Sequence, residues 1–257
     1  IFDEVQLAPK ARQAIKYLVK DGRYDYIETG SLISIRKNVK DILIPSEEVK
    51  LHMFPMDYEE FKWALGDTAT IKLLQGCFHS KKPMGDDINR KLMRDFRLYM
   101  LVGGMPQAVS TYLETNNLEK VDSAKRSIIT LYEDDFNKID QTGNASKIFH
   151  QIPAQLTSNA NRYLTWSATD GTRNTILTEI LSEIKESMVV NMAYHANDPS
   201  AGMALHQDPN KYKMFAGDTG LFVTLAFWDR KFTDNTIYNK LLSDKLSTDL
   251  GYVYENV

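Results

Sequence analysis

IFDEVQ (residues 1–6) opens the chain, and its reading decides the fold. Ile1 and Phe2 run into two adjacent acids, Asp3 and Glu4, as the C-terminal end of a buried strand does. Pro9 then suits a first helical turn, where its missing N–H costs nothing. Ala11, Ala14, Ile15, Leu18 and Val19 recur at helical spacing, and Gly22 can cap their end. YDYIETGS (residues 24–31) reads as a second buried strand, ending at Thr29, Gly30 and Ser31. Strand, helix and strand at this spacing predict a parallel α/β unit. An opening without Met, inside a strand ending, carries the expectation that residues precede Ile1.

Downstream the sequence turns helical. Asp57 can cap a helix ending at Gly66, with Glu60 completing a capping box and Met56 and Phe61 placed as a hydrophobic staple. Ile88, Leu92, Phe96 and Tyr99 share a stripe that Gly103-Gly104 ends. Pro106 can start a second helix. A third runs from Leu118 towards Phe136, with Val121, Ile128 and Tyr132 inward, and the three predict a small bundle. From Asn144 the order is helix, short helix, the Asp170-Gly171 turn, a helix through Ile184, then strands at MVVNMAYH and KYKMF. That order fits a winged helix. DTGLFVTLAF reads as a further helix capped by Asp218, and the chain stops at YENV inside another.

The expected fold is therefore mixed α/β and helix-rich. Residues 1–75 form a partial α/β core, 76–140 a helical bundle, 141–230 a winged-helix-like domain and 231–257 the start of a further domain. With 31 basic and 34 acidic residues, the net charge of -3 gives no whole-protein pull towards nucleic acid or acidic membranes. Cys77 is the sole cysteine, which excludes an intramolecular disulfide and a thiolate-rich metal site. No apolar run reaches the roughly 18 residues of a membrane span. No signal peptide opens the chain. The reducing cytoplasm is the expected compartment.

Chemistry concentrates at the first strand end. A nucleotide hydrolase needs a carboxylate on its magnesium ion and a group that orients the attacking water. Asp3 can hold the ion through its water shell, and Glu4 can polarise the nucleophile. Thr29 or Ser31, ending the neighbouring strand, can sense a γ-phosphate in the crevice beyond the strand ends. Helix capping is the competing reading of Asp3-Glu4. Arg36 is a candidate arginine finger, with a solvated arginine in the basic RKNVK stretch as its alternative. No GxxxxGK[ST] pattern occurs, so the backbone cradle for phosphates is absent from these residues. Tight ATP binding by this chain alone is not expected. Arg162 and Arg173 flank the wing and recognition-helix region and are candidate nucleic-acid contacts, with a structural role for both as the alternative.

An ordered set of motifs carries a family likeness. IFDEVQLAPKARQAIKYL, YIETGSLIS and FPMDYEEFKWALG resemble the ATPase half of a prokaryotic AAA-type P-loop family. LYMLVGGMPQAV, SIITLYEDDF and KYKMFAGDTGLF resemble the C-terminal module with which it is paired, often called DUF4143. The resemblance implies a P-loop ATPase core, a helical lid, a winged helix and a restriction-endonuclease-like domain after it, with ATP and Mg as cofactors. Asp3 and Glu4 match the Walker-B acids, and Ser31 matches the small polar residue ending the sensor strand. The Walker-A loop would precede Ile1, and the nuclease-like acids would follow Val257. Two functions follow as expectations. One is an ATPase in which hydrolysis switches a winged-helix module. The other is a non-catalytic module binding DNA or a protein partner.

Overall fold

The computed structural model describes residues 1–30, 49–158, 162–165, 169, 174–198, 200, 202–230, 238, 241–243 and 251–257. At the start, Phe2 bridges Glu28 in parallel. The Phe2 N–H donates to Ile27 O at 2.8 Å, and the Thr29 N–H donates to Phe2 O at 2.9 Å. The expected crossover is present, but YDYIETGS contributes a single bridge among its described residues rather than a strand. Parallel ladders are stable when both faces are covered, and Ile1 and Ile27 are exposed here. Between the two pairing segments, Pro9 heads α1 (Pro9–Asp21). Gly22, at φ 71°, ends it and returns its N–H to Val19 O at 3.1 Å. Buried Ile15 and Val5 lie where α1 contacts the 3-10 turn Val5–Leu7.

The capping box forms as its spacing predicts. At the start of α2 (Tyr58–Ala64), Asp57 accepts from the Glu60 N–H at 2.8 Å and Glu60 accepts from the Asp57 N–H at 3.0 Å. Met56 and Phe61 join one apolar cluster with Val102, Val109 and Val121. Buried Lys62 fixes α2 by reaching Asp67 at 2.8 Å and Asp95 at 2.5 Å. Next come α3 (Thr70–Ser80), α4 (Asp86–Val102), α5 (Pro106–Thr115) and α6 (Leu118–Ile139). The last three are the expected bundle. Asn117 caps α6 by accepting from the Glu119 N–H at 2.8 Å.

Two short helices follow, α7 (Asn144–His150) and α8 (Ile152–Thr157), then α9 (Asn174–Glu186). β1 (Val190–Ala196) and β2 (Gln207–Ala216) pair antiparallel, from Val190 opposite Ala216 to Ala196 opposite Gln207, with an irregularity after Tyr194. Alternating burial along β1 shows one face turned to the core. α10 (Thr219–Ala226) follows and is apolar all round, so it sits inside. The chain closes with α11 (Gly251–Glu255). One apolar core draws on Met100 and Leu101 of α4, Ile129 and Phe136 of α6, Phe149, Ile184, Met214, Phe222 and Val253. Described residues from the segments expected as lid, winged helix and following domain thus share a common core.

Backbone packs closely at the joint where α4 ends, against the start of α10 and against Met56. A Cβ on Gly220 would lie 2.4 Å from Val102 O, and one on Gly104 would lie 2.0 Å from Met56 O. Both neighbours are backbone and cannot rotate away. Gly220→Ala is expected to destabilise the fold by about 2 kcal/mol through overpacking, read as a fall in the urea midpoint at unchanged slope. An unchanged midpoint would mean that the joint opens freely.

Candidate functional site

The parallel bridge sets the site expected at the chain's start. It ends Phe2 and Glu28 side by side, so the next residues of each segment emerge together. The Thr29 hydroxyl donates to the Asp3 carboxylate, and the Glu4 N–H donates to Thr29 Oγ1 at 3.3 Å. The Val5 N–H donates to Thr29 O at 3.0 Å. Thr29 therefore grips the Asp3–Val5 segment through both its side chain and its carbonyl. Glu4 sits in the left-handed region, at φ 51° and ψ 48°. A non-glycine residue there costs on the order of 1 kcal/mol, and such strain concentrates at functional sites. Asp3, Glu4 and Thr29 are all exposed, so a solute can reach them.

Geometry thus joins three of the sequence-derived residues. Ser31 and Arg36 lie outside the described residues, as does Arg173. Arg162 is exposed near the end of α8. Asp3 presents oxygen donors suited to a hard cation. Among the described residues, no group of three or more His, Cys, Asp or Glu is arranged to hold a metal ion. A single carboxylate, with water and phosphate oxygens completing the shell, is how Mg²⁺ is usually held. Asp3 fits that role. The sequence holds no GxxxxGK[ST] loop to cradle the phosphates.

A second concentration of polar groups, unforeseen in the sequence, lies inside the common core. Fully buried Lys125 donates to Leu101 O at 2.7 Å, to Gly220 O at 3.1 Å and to the Tyr238 hydroxyl at 3.4 Å. Burial pushes its ammonium down to about 8, against the attraction of Asp122 and Asp218. Asp122 accepts from Arg126 Nε at 2.8 Å, Thr224 Oγ1 at 2.8 Å and the Tyr238 hydroxyl at 2.9 Å. Burial works to raise the Asp122 carboxyl, but Lys125, Arg126 and the two hydroxyls outweigh it and hold it below the usual range. Asp218 caps α10 at the Leu221 N–H, 2.8 Å, and also takes the Gly104 N–H at 2.6 Å. Its carboxyl is pushed up by burial. The signal for Lys125 was its position. It falls on the stripe of Val121, Ile128 and Tyr132, where an apolar residue belongs.

At the edge of this core, His150 Nε2 meets Glu133 Oε1 at 2.6 Å, with the His150 ring edge-on to Trp228 at 5.1 Å. His150 also lines an open groove of about 460 Å³ with Pro153, Thr157, Leu225 and Tyr252. The groove is mainly apolar, and among the described residues no helix is long and apolar enough to cross a membrane.

Comparison with known families divides the chain along similar lines. Residues 1–62 match a family described as an AAA domain, which contains Asp3, Glu4 and Thr29. This agrees with the AAA-type likeness of the opening motifs. Residues 93–231 match a different family from the C-terminal module that the likeness named. No curated protein and no solved structure matches the chain. The second match spans 139 of the 257 residues and holds Asp122, Lys125 and Asp218, so the chain belongs to the family described as a domain of unknown function, DUF8612, with an AAA-like segment at its start.

Proposed function

We propose that this chain acts within an AAA-type ATPase, with Asp3 and Glu4 as its Walker-B acids. The observation that carries the reading is the Thr29–Asp3 contact beside the parallel bridge, within the stretch similar to an AAA domain. Asp3 would hold the water shell of Mg²⁺, with its rotamer fixed by the Thr29 hydroxyl. Glu4 orients the attacking water from a backbone already set by Thr29. Thr29, with Ser31 beyond it, answers to the terminal phosphate, and Arg36 is the candidate finger. When bound, Mg²⁺ neutralises charge on the phosphate oxygens. The phosphate cradle comes from elsewhere in the ATPase, so the 257-residue chain alone binds ATP weakly.

The remainder acts as the moving part on this reading. α7, α8, α9 and the β1–β2 hairpin have the order of a winged helix and are proposed as the switched module. Their kinship with the DUF4143 module belongs to the same proposal. The alternative of nucleic-acid contact through Arg162 and Arg173 meets an adverse charge. Along α9, Glu179, Glu183 and Glu186 stand against Lys185 alone, which repels phosphates. The hairpin module is better suited to a protein partner.

In an ATPase assembled with a phosphate-binding loop, Glu4→Gln is expected to lower MgATP hydrolysis to a tenth or less while ATP still binds. Steady-state phosphate release checks this. Unchanged hydrolysis would sink the Walker-B assignment.

A further inference from the structure

α1 concentrates positive charge in a chain that is acidic overall. Between Pro9 and Tyr24 stand Lys10, Arg12, Lys16, Lys20 and Arg23 against Asp21 alone, so this stretch carries +4 while the whole chain carries -3. The apolar side of α1 is already used. Ile15 is buried and Ala11 and Leu18 are half-buried, while Lys10, Lys16 and Lys20 are exposed. Lys10, Tyr17 and Lys20 recur at helical spacing along one stripe, with Lys16 on its flank. Tyr17 is 75% exposed, and Tyr24, just past the helix end, is 71% exposed. Tyrosines that open to water contribute little to the packing of the fold. Arg23 pairs with Asp21 and is set aside.

We infer that this face of α1 binds single-stranded nucleic acid, with Lys10, Lys16 and Lys20 on successive phosphates and Tyr17 and Tyr24 stacking on bases. Single-strand sites combine this kind of cationic track with aromatic platforms. The 13 residues of α1 extend about 20 Å, enough for a short run of nucleotides. A lipid surface fits less well. A membrane-lying helix turns its apolar stripe outward, whereas Ile15 of α1 is turned inward. Paired bases offer no open faces to the tyrosines, so a duplex fits less well too. This surface is independent of the Walker-B reading and of Arg162.

The test is fluorescence anisotropy of the full chain with a labelled oligo-dT of about twenty nucleotides, titrated at several salt concentrations from about 50 mM. Binding is expected to weaken with salt, with a logarithmic slope near -2 for three phosphate contacts at about 0.7 each. Lys16→Glu with Lys20→Glu should weaken binding tenfold or more and flatten that slope. Lys16→Gln with Lys20→Gln is the milder version, should charge reversal disturb the circular dichroism. Tyr17→Ala with Tyr24→Ala should weaken binding about tenfold while leaving the slope unchanged. Arg162→Glu should change nothing. The proposal is overturned by no binding at the lowest salt, or by affinity indifferent to the lysine pair. It is equally overturned by equal affinity for a duplex of the same length, or by sedimentation with phosphatidylserine vesicles in place of oligo-dT binding.

Discussion

Replacing Asp218 by alanine is expected to destabilise the fold by about 4 kcal/mol. The Asp218 carboxylate accepts from the Leu221 N–H and the Gly104 N–H at 2.8 and 2.6 Å, tying the first turn of α10 to the end of α4. Alanine leaves both buried donors without that acceptor, at about 1–3 kcal/mol each. The bond to Leu221 is the cap of α10, so its loss is already within that sum. No neighbour can close the gap, because Gly103 and Gly220 already press on one another across the joint. Urea unfolding followed by circular dichroism measures the loss, and a cost below about 1 kcal/mol would mean that other acceptors take over. Asp218→Asn keeps one of these bonds and loses the other, because Leu221 and Gly104 donate to different carboxylate oxygens and an amide NH2 cannot accept. Burial raises the Asp218 carboxyl, so the native state holds its proton more tightly than the unfolded chain does. That contribution is complete below the unfolded carboxyl range, near about 4. It is lost as pH rises through the raised native value. Asp218→Asn should therefore cost less at pH 7 than at pH 4.

The same residue shows how far the sequence could be read. Asp218 before an apolar run announces a helix cap, and the cap is there. Its second bond, to Gly104, joins residues 114 apart in sequence. No local pattern encodes that distance. Asp57 with Glu60, Pro9 with Gly22, and Pro106 were likewise legible, because capping and backbone restriction act within a few residues. The hairpin was legible because β1 alternates in burial. YDYIETGS misled as a full strand. Its apolar character is real, but pairing needs a partner ladder, and the structure supplies one bridge. Asp3 and Thr29 were each chosen for standing at a strand end, and the bridge brings them together. The strained backbone of Glu4 could not be foreseen, since glutamate has no preference for it.

Lys125→Met is expected to cost about 3 kcal/mol at neutral pH, although methionine suits an apolar stripe better than lysine does. The reason is what the lysine leaves behind. Leu101 O and Gly220 O lose their ammonium donor, and Asp122 and Asp218 lose the buried cation between them. Removing one partner of a buried charged group costs about 3–5 kcal/mol, whereas replacing all of its members together can be neutral. Asp122 keeps Arg126, Thr224 and Tyr238, which puts the cost at the lower end. The pH dependence distinguishes this account from a simple loss of packing. Lys125 titrates near 8 in the fold, below its ordinary value of 10.5. Below about pH 8 both states hold the proton, and the fold bears the full cost of burying it. As pH rises from 8 towards 10.5, the native state gives up its proton first, the unfolded chain binds more protons, and wild-type stability gains relative to Lys125→Met. The gap between the two proteins should widen by up to about 3 kcal/mol across that interval. Measuring both by urea unfolding at each pH cancels the other lysines and tyrosines, which the two share. A gap constant with pH would show that Lys125 stays protonated throughout and that its carbonyl partners, rather than burial, govern it.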